Sequence, residues 1–323
     1  MKMIFPGAIA VQAVAVAARL GLADLVASGP RTVDDLARAT NTNANSLTRL
    51  LRALVSLGVF LQDESGKVQN NALSDLLRSD DARARRPWAL WLGAPYLWRS
   101  LGTLEEVIHR GEPSFDRIHG EGFYEYLASH IDDGAVFNTC MDASSPKAAS
   151  ALVAAYDFSR FSRIVDVGGG QGAILKHILA SNPGLQGILF DFPNVVAGAD
   201  SLRTGELATR CEIVGGDCRQ AVPGGDIYLI KGVIADSNDQ DALAILRSCR
   251  KAIQAGGTLL IADTIFTPSS RPEETLMDLL MMTLTHGRAR TEAEYSALLQ
   301  QAGFSLSRII TLPRFSIIEG RAT

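Results

Sequence analysis

The chain has 323 residues, of which 47% are hydrophobic and 20% charged, with a formal net charge of −4. That balance describes a soluble globular protein long enough for two sizeable cores. It gives no electrostatic reason to expect nucleic acid or an anionic membrane surface as partner. Cys140, Cys211, Cys218 and Cys249 are scattered with no C-x-x-C pair, so neither a disulfide framework nor a metal site is expected, and cytoplasmic, reduced thiols are.

The N-terminal run "IFPGAIAVQAVAVAA" has the look of a signal-peptide core. Only Lys2 precedes it, however, Gln12 interrupts it, and its apolar spacing continues past Arg19 into "LGLADLV". The pattern predicts one apolar helix across Ala8–Val26 rather than a cleaved segment. "TVDDLARAT" follows, capped by Thr32, then a polar break from Asn41 to Asn45, then "SLTRLLRALVSLGVF" with apolar residues at helical spacing. "VFLQDESGKVQNN" alternates around Ser65-Gly66 and predicts a small β-hairpin.

Helix, turn, helix and hairpin over residues 1–90 make a winged helix. DNA binding would use Arg49 and Arg52. Both arginines are flanked by leucines, and the wing carries no base beyond Lys67. A packing module that joins two copies of the chain is therefore the expectation. Residues 91–155 read as linking helices rich in aromatics, with Phe137 and Met141 placed to line a substrate pocket. The most apolar later stretch, "LMDLLMMTL", carries Asp278 and is too short to span a bilayer.

From residue 156 to 323 the rhythm changes. "RIVDV", "GILFD", "CEIVG", "DIYLIKG" and "GTLLIAD" are short apolar runs separated by helical patterns, the signature of a parallel sheet covered on both faces. A helix ("TEAEYSALLQQAG", capped by Thr291) and two further strand-like runs, "SLSRIITL" and "RFSIIEG", close the chain.

"VDVGGGQGA", residues 165–173, ends the first of these strands and opens a helix. Gly168, Gly170 and Ala173 also satisfy the dinucleotide pattern G-x-G-x-x-G/A, so the loop alone is ambiguous. The charged residues at the strand ends separate the readings. Asp166 suits an ammonium group better than a pyrophosphate. Asp191 is placed to accept ribose hydroxyls, Asp217 to accept from an adenine amine beside Cys218, and Lys231 ends the fourth strand. A ligand with a ribose, an adenine and a charged amino-acid tail answers all of them. That ligand is S-adenosylmethionine.

In order along the chain, "ARLGLADLV", "SLTRLLRALVSLGVF", "FYEYL", "VDVGGGQGAIL", "LFDFPNVV", "ILRSCRKAIQAGGTLLIAD" and "RTEAEYSALLQQAGF" resemble the small-molecule O-methyltransferases that carry an N-terminal winged-helix dimerisation domain. This group includes plant caffeate and chalcone enzymes and bacterial polyketide and hydroxyneurosporene enzymes. The resemblance implies a class I methyltransferase α/β fold with a mixed seven-stranded sheet, an intertwined homodimer, and cofactor contacts at Gly168, Asp191, Asp217, Cys218 and Lys231.

One segment departs from that family. Its usual His-Asp-Trp phrase, where the histidine takes the proton of the acceptor hydroxyl, here reads Ala235-Asp236-Ser237. Asp263 holds the place of the supporting acid. The family's Gly-Gly-x-Glu-Arg-Thr loop reads "HGRART", with Ala289 in the glutamate position. The residues left to handle a proton are Asp263, Asp236 and His286, the last as a relocated base. Ala235 and Met282 join Phe137 and Met141 as expected pocket lining. Three readings follow: methyl transfer by proximity or with a relocated base, non-methylating chemistry (pericyclic, hydroxylating or decarboxylating) in the same pocket, and a small-molecule-sensing regulator.

Overall fold

In the computed structural model, residues 4–81 and 85–323 are described. Their first element, α1 (Ile4–Arg19), is separated from the short α2 (Leu22–Leu25) by Gly21 at φ 64°. The single helix predicted across Ala8–Val26 is thus two, because the apolar spacing runs on through a left-handed residue that ends the hydrogen-bond ladder. Thr32 caps α3 (Val33–Thr40) by accepting from the Asp35 amide, and Asn43 caps α4 (Ala44–Ser56) by accepting from Ser46. Antiparallel β1 (Leu61–Gln62) and β2 (Val68–Gln69) form the expected hairpin, with Gly66 at φ 80° in its turn. Leu22, Leu36, Leu47, Leu51, Leu54 and Phe60 bury together as the core of this winged-helix region.

Contact density divides the chain into a unit of Met1–Arg99 with His130–Ala143 and a unit of Ser100–Ser129 with Ser144–Thr323. The stretch read as linking helices is shared between them. It comprises α5 (Arg86–Leu92), α6 (Pro95–Leu101), α7 (Leu104–Arg110), α8 (Phe115–His119), α9 (Phe123–Ser129) and α10 (Ile131–Ala155). Within the first unit α5 lies on α1, so closely that a Cβ on Gly93 would stand 2.1 Å from the Ala15 side chain.

The second unit is built on β3 (Arg163–Val167), β4 (Gln186–Asp191), β5 (Cys211–Gly215), β6 (Gly225–Lys231), β7 (Ile253–Asp263), β8 (Phe304–Thr311) and β9 (Ser316–Ala322). These form one seven-stranded sheet in the order β5-β4-β3-β6-β7-β9-β8, parallel except where β9 pairs with β7 and β8. Alternation along each strand feeds two cores. Val165, Phe190, Tyr228, Ile230 and Ile261 pack on one face, with α13 (Asp239–Ala252) and α15 (Glu292–Gln301) over them. Ile164, Leu189, Leu229 and Leu260 pack on the other, with α11 (Ala173–Ser181) and the short α12 (Pro193–Val196). The chain moves outward from β3 through β4 to β5 and then returns to β6 on the other side of β3. The ends of β3 and β6 are therefore the topological switch point, where open α/β sheets bind ligands. Among the described residues no helix is long and apolar enough to cross a membrane.

Candidate active site

The turn after β3 is made of backbone. Gly168, Gly170 and Gly172 have φ of 69°, 63° and 84°, a conformation side-chain-bearing residues adopt only with strain. Two of the three also stand where a side chain would collide. A Cβ on Gly168 would come within 2.3 Å of Val233, and one on Gly172 within 2.3 Å of Leu202, whereas Gly170 faces nothing within 4 Å. Asp191, at the end of β4, ties the loop down: its carboxylate accepts from the amide of Gly170 at 2.8 Å and from its neighbour Phe192 at 2.7 Å. Burial nevertheless pushes the Asp191 carboxyl above the ordinary carboxylate range, against those two hydrogen bonds.

Asp166 lies under the loop, 2% exposed, and its Oδ2 has no hydrogen-bond partner. Burial, reinforced by the charge of Asp191 and opposed by Lys231, pushes its pKa up to about 7. A buried carboxylate oxygen without a partner is costly unless something cationic or hydrogen-donating reaches it. Asp217, beyond β5, accepts from Arg219 through a fork of 3.0 Å and 2.8 Å contacts, and that pairing lowers its pKa. Next to it, burial raises the Cys218 thiol to about 12, so this sulfur acts as an apolar surface. Lys231 ends β6 and is the cation that acts on Asp166, Asp236 and Asp263 alike. An orphaned carboxylate oxygen, an open face at Gly170 and acids at three strand ends fit the ammonium, carboxylate and nucleoside parts of S-adenosylmethionine.

Across the switch point, the segment after β6 is held from several sides. Asp263, 3% exposed at the end of β7, accepts from the amides of Gly232 at 2.8 Å and Ala235 at 3.2 Å and from the Tyr295 hydroxyl at 3.1 Å. The guanidinium of Arg290, 0% exposed, donates to the carbonyls of Ile234 at 2.5 Å and Ser237 at 2.7 Å and pairs with Asp239 at 2.8 Å. Gly287 presses on the same turn, since a Cβ there would stand 2.3 Å from the Ala235 carbonyl oxygen. Asp278 of α14 (Pro272–Leu284) fixes the loop behind it by accepting from the Ala289 amide at 2.6 Å. On the remaining side the Tyr124 hydroxyl, from α9, donates to Asp236 Oδ2 at 2.8 Å.

The sequence-derived residues fall into groups. Asp166, Gly168, Gly170, Asp191 and Lys231 meet at the ends of β3, β4 and β6, and Asp263 and Asp236 hold or adjoin Ala235. His286 is 53% exposed, with Nε2 4.0 Å from Asp116 Oδ2. Met282 is half-buried on α14. In the other unit Phe137 packs edge-on against Trp91, centroids 5.7 Å apart, with half-buried Met141 one helical turn further along α10. Sequence reasoning missed Tyr124, Arg290 and Asp278. "FYEYL" and "HGRART" drew notice, but periodicity does not say which tyrosine or arginine reaches a distant turn.

A glycine loop and strand-end acids at the switch point of a seven-stranded sheet with an antiparallel β9 define a class I methyltransferase. Comparison with known proteins narrows this. Residues 98–305 match the O-methyltransferase domain and residues 3–80 the O-methyltransferase dimerisation domain, and the chain belongs to this family of S-adenosylmethionine-dependent enzymes. It is similar to a phenazine O-methyltransferase of Lysobacter antibioticus, 37% identical over 96% of this chain and 92% of the relative. It is also similar to a phenazine-1-carboxylate N-methyltransferase of Pseudomonas aeruginosa, 35% identical over 92% of this chain and 89% of the relative. Among solved structures, an O-methyltransferase of neocarzinostatin biosynthesis, in complex with S-adenosylmethionine and 2-hydroxy-5-methyl naphthoic acid, superposes with a TM-score of 0.87. It is 31% identical over 97% of this chain and 96% of that one.

Proposed function

We propose that this protein, as a homodimer, transfers a methyl group from S-adenosylmethionine to a heteroatom of a small planar aromatic acceptor of secondary metabolism, without a histidine base at position 235. One observation carries the reading. The glycine loop and the Ala235 segment abut across the switch point, with Gly168 packed on Val233 two residues before Ala235. When bound, the cofactor supplies an electrophilic methyl on a sulfonium.

Asp166 holds the ammonium of its amino-acid tail, Gly168 and Gly170 let that tail approach the backbone, Asp191 takes the ribose, and Asp217 with Cys218 takes the adenine. The clamped turn orients the acceptor, and placing two reactants in line is most of what such a transfer requires. Ala235 leaves room for the acceptor ring where an imidazole would stand. Its phenazine and naphthoate relatives, which include both O- and N-methyltransferases, support an aromatic acceptor. His286, half exposed beside Asp116, is given no part in this reading.

The test is calorimetry with S-adenosylmethionine and its demethylated product, followed by mass spectrometry of reactions with hydroxynaphthoates and hydroxyphenazines. Cofactor binding and a product 14 mass units heavier (about the mass of one added CH₂) are expected. Absence of cofactor binding overturns the site. A product formed equally well with the demethylated cofactor replaces methyl transfer with non-methylating chemistry.

A further inference from the structure

The carboxylate beside Ala235 is held by a tyrosine from a remote helix. Tyr124 lies on α9, 112 residues away in sequence, and keeps 39% of its surface exposed while its hydroxyl end turns in onto Asp236 Oδ2 at 2.8 Å. Asp236 is half-buried, and no other side chain among the described residues hydrogen-bonds to its carboxylate. Its main chain is fixed by the Asp236 amide on the Gly232 carbonyl at 3.3 Å, by Asp263 on Ala235, and by Arg290 on Ile234 and Ser237. A side chain so placed adjoins the position at which the family's base stands.

We propose that Asp236 is the proton acceptor of this enzyme and that Tyr124 positions it, the pair standing in for the histidine absent at 235. This rests on the methyl-transfer reading above. Tyr124 occupies Oδ2 and leaves Oδ1 to the acceptor. In the balanced step the acceptor's O–H proton passes to the Asp236 carboxylate while its oxygen forms the new O–CH₃ bond. The electron pair of the broken S–CH₃ bond stays on sulfur, and the proton is later released to water. No oxidant or reductant is needed.

The charges around Asp236 suit the task. Burial is the main influence and pushes its pKa up to about 6, Asp263 adds to the rise, and the Tyr124 hydrogen bond and Lys231 oppose it. Arg290 lies on the flanking carbonyls. A base titrating just below neutral pH is charged at neutral pH and as strong as it can be while remaining so. Tyr124 stays a hydroxyl donor, because burial and Asp236 raise its own pKa well above the ordinary value.

The pair is tested first without any acceptor. Carbon-13 NMR of aspartate-labelled protein is expected to show Asp236 titrating near 6, identified by its loss in Asp236→Asn, and moving upward in Tyr124→Phe. An Asp236 pKa in the ordinary range that Tyr124→Phe does not move overturns the pair, whatever the acceptor. The second arm uses a hydroxynaphthoate or hydroxyphenazine that the wild type methylates. Asp236→Asn is expected to lose ~10²-fold or more in turnover at neutral pH, and to recover as pH approaches the phenol's own pKa near 10. Tyr124→Phe is expected to shift the acid limb of the pH–rate profile upward with little change in cofactor affinity. A pH-independent loss in Asp236→Asn makes Asp236 structural and overturns its role as acceptor. Failure of the wild type to methylate any probe, with the NMR result intact, strikes at the methyl-transfer reading instead.

Discussion

The two sides of the switch point are built on different principles. On the β3–β4 side the ligand surface is largely backbone, with three positive-φ glycines and a carboxylate tying down an amide. On the β6–β7 side the surface is a plain turn whose shape is imposed from elsewhere by Asp263, Arg290, Gly287 and Tyr124. The first carries its specification within a few consecutive residues. The second draws it from elements between 28 and 112 residues away. The first can thus be recognised in a short stretch of sequence, and the second only in the folded chain.

Arg290→Ala probes the second side most severely. It takes the charged donor from the carbonyls of Ser237 and Ile234, while half-exposed Asp239 keeps Arg288, and losing hydrogen bonds to a charged group costs ~1.5–3 kcal/mol each. Urea unfolding should show that loss, yet calorimetry on protein still folded should find cofactor affinity nearly unchanged. An equal loss of cofactor affinity would break the distinction between the sides. The mirror experiment is Asp191→Ala, which removes the tie to Gly170 together with the proposed ribose contact. It should weaken S-adenosylmethionine binding by about tenfold to a hundredfold, or ~1.5–3 kcal/mol.

Asp166 gives a pH signature. Its folded pKa, about 7, is raised above the unfolded value. The carboxyl therefore contributes stability that is fully present below the unfolded pKa near 4 and is lost as pH rises through 7. Asp166→Asn should make the cofactor-free protein melt higher at pH 8, by ~1–3 kcal/mol in stability, with the advantage shrinking toward pH 5. On the proposed reading the same variant should bind the cofactor more weakly, because the ammonium loses its counter-charge. An unchanged pH dependence of melting would show Asp166 to be ordinarily solvated. The smallest effect is expected from Ala235→His. Folding should change by less than ~1 kcal/mol, since Ala235 itself is held through its peptide groups, and turnover on the native acceptor should not rise. A large gain would mean that Asp236 is an inadequate base.

The same contrast decides what could be read in the sequence. The strands, the Thr32 and Thr291 caps, the hairpin and the glycine loop follow from local spacing, and all are present. Asp191 was legible as a strand-end acid, but its amide partners were not, because they depend on how the loop folds back. Ala235 stood out only against the family's pattern. Arg290 and Tyr124 were illegible because a hydrogen bond between remote elements leaves no periodic trace. The Ala8–Val26 helix was misread because apolar spacing continues through Gly21 while the backbone does not.

The clamp on residues 234–237 has a consequence for descent. Since Asp263 and Arg290 grip the peptide groups and ignore the side chain at 235, a lineage can exchange that residue by point mutation without rebuilding anything around it. Substitutions there are filtered by what the pocket must accommodate rather than by whether the protein folds. On the proposed reading position 235 is thus an interchangeable fitting, through which a new acceptor chemistry can enter an old enzyme.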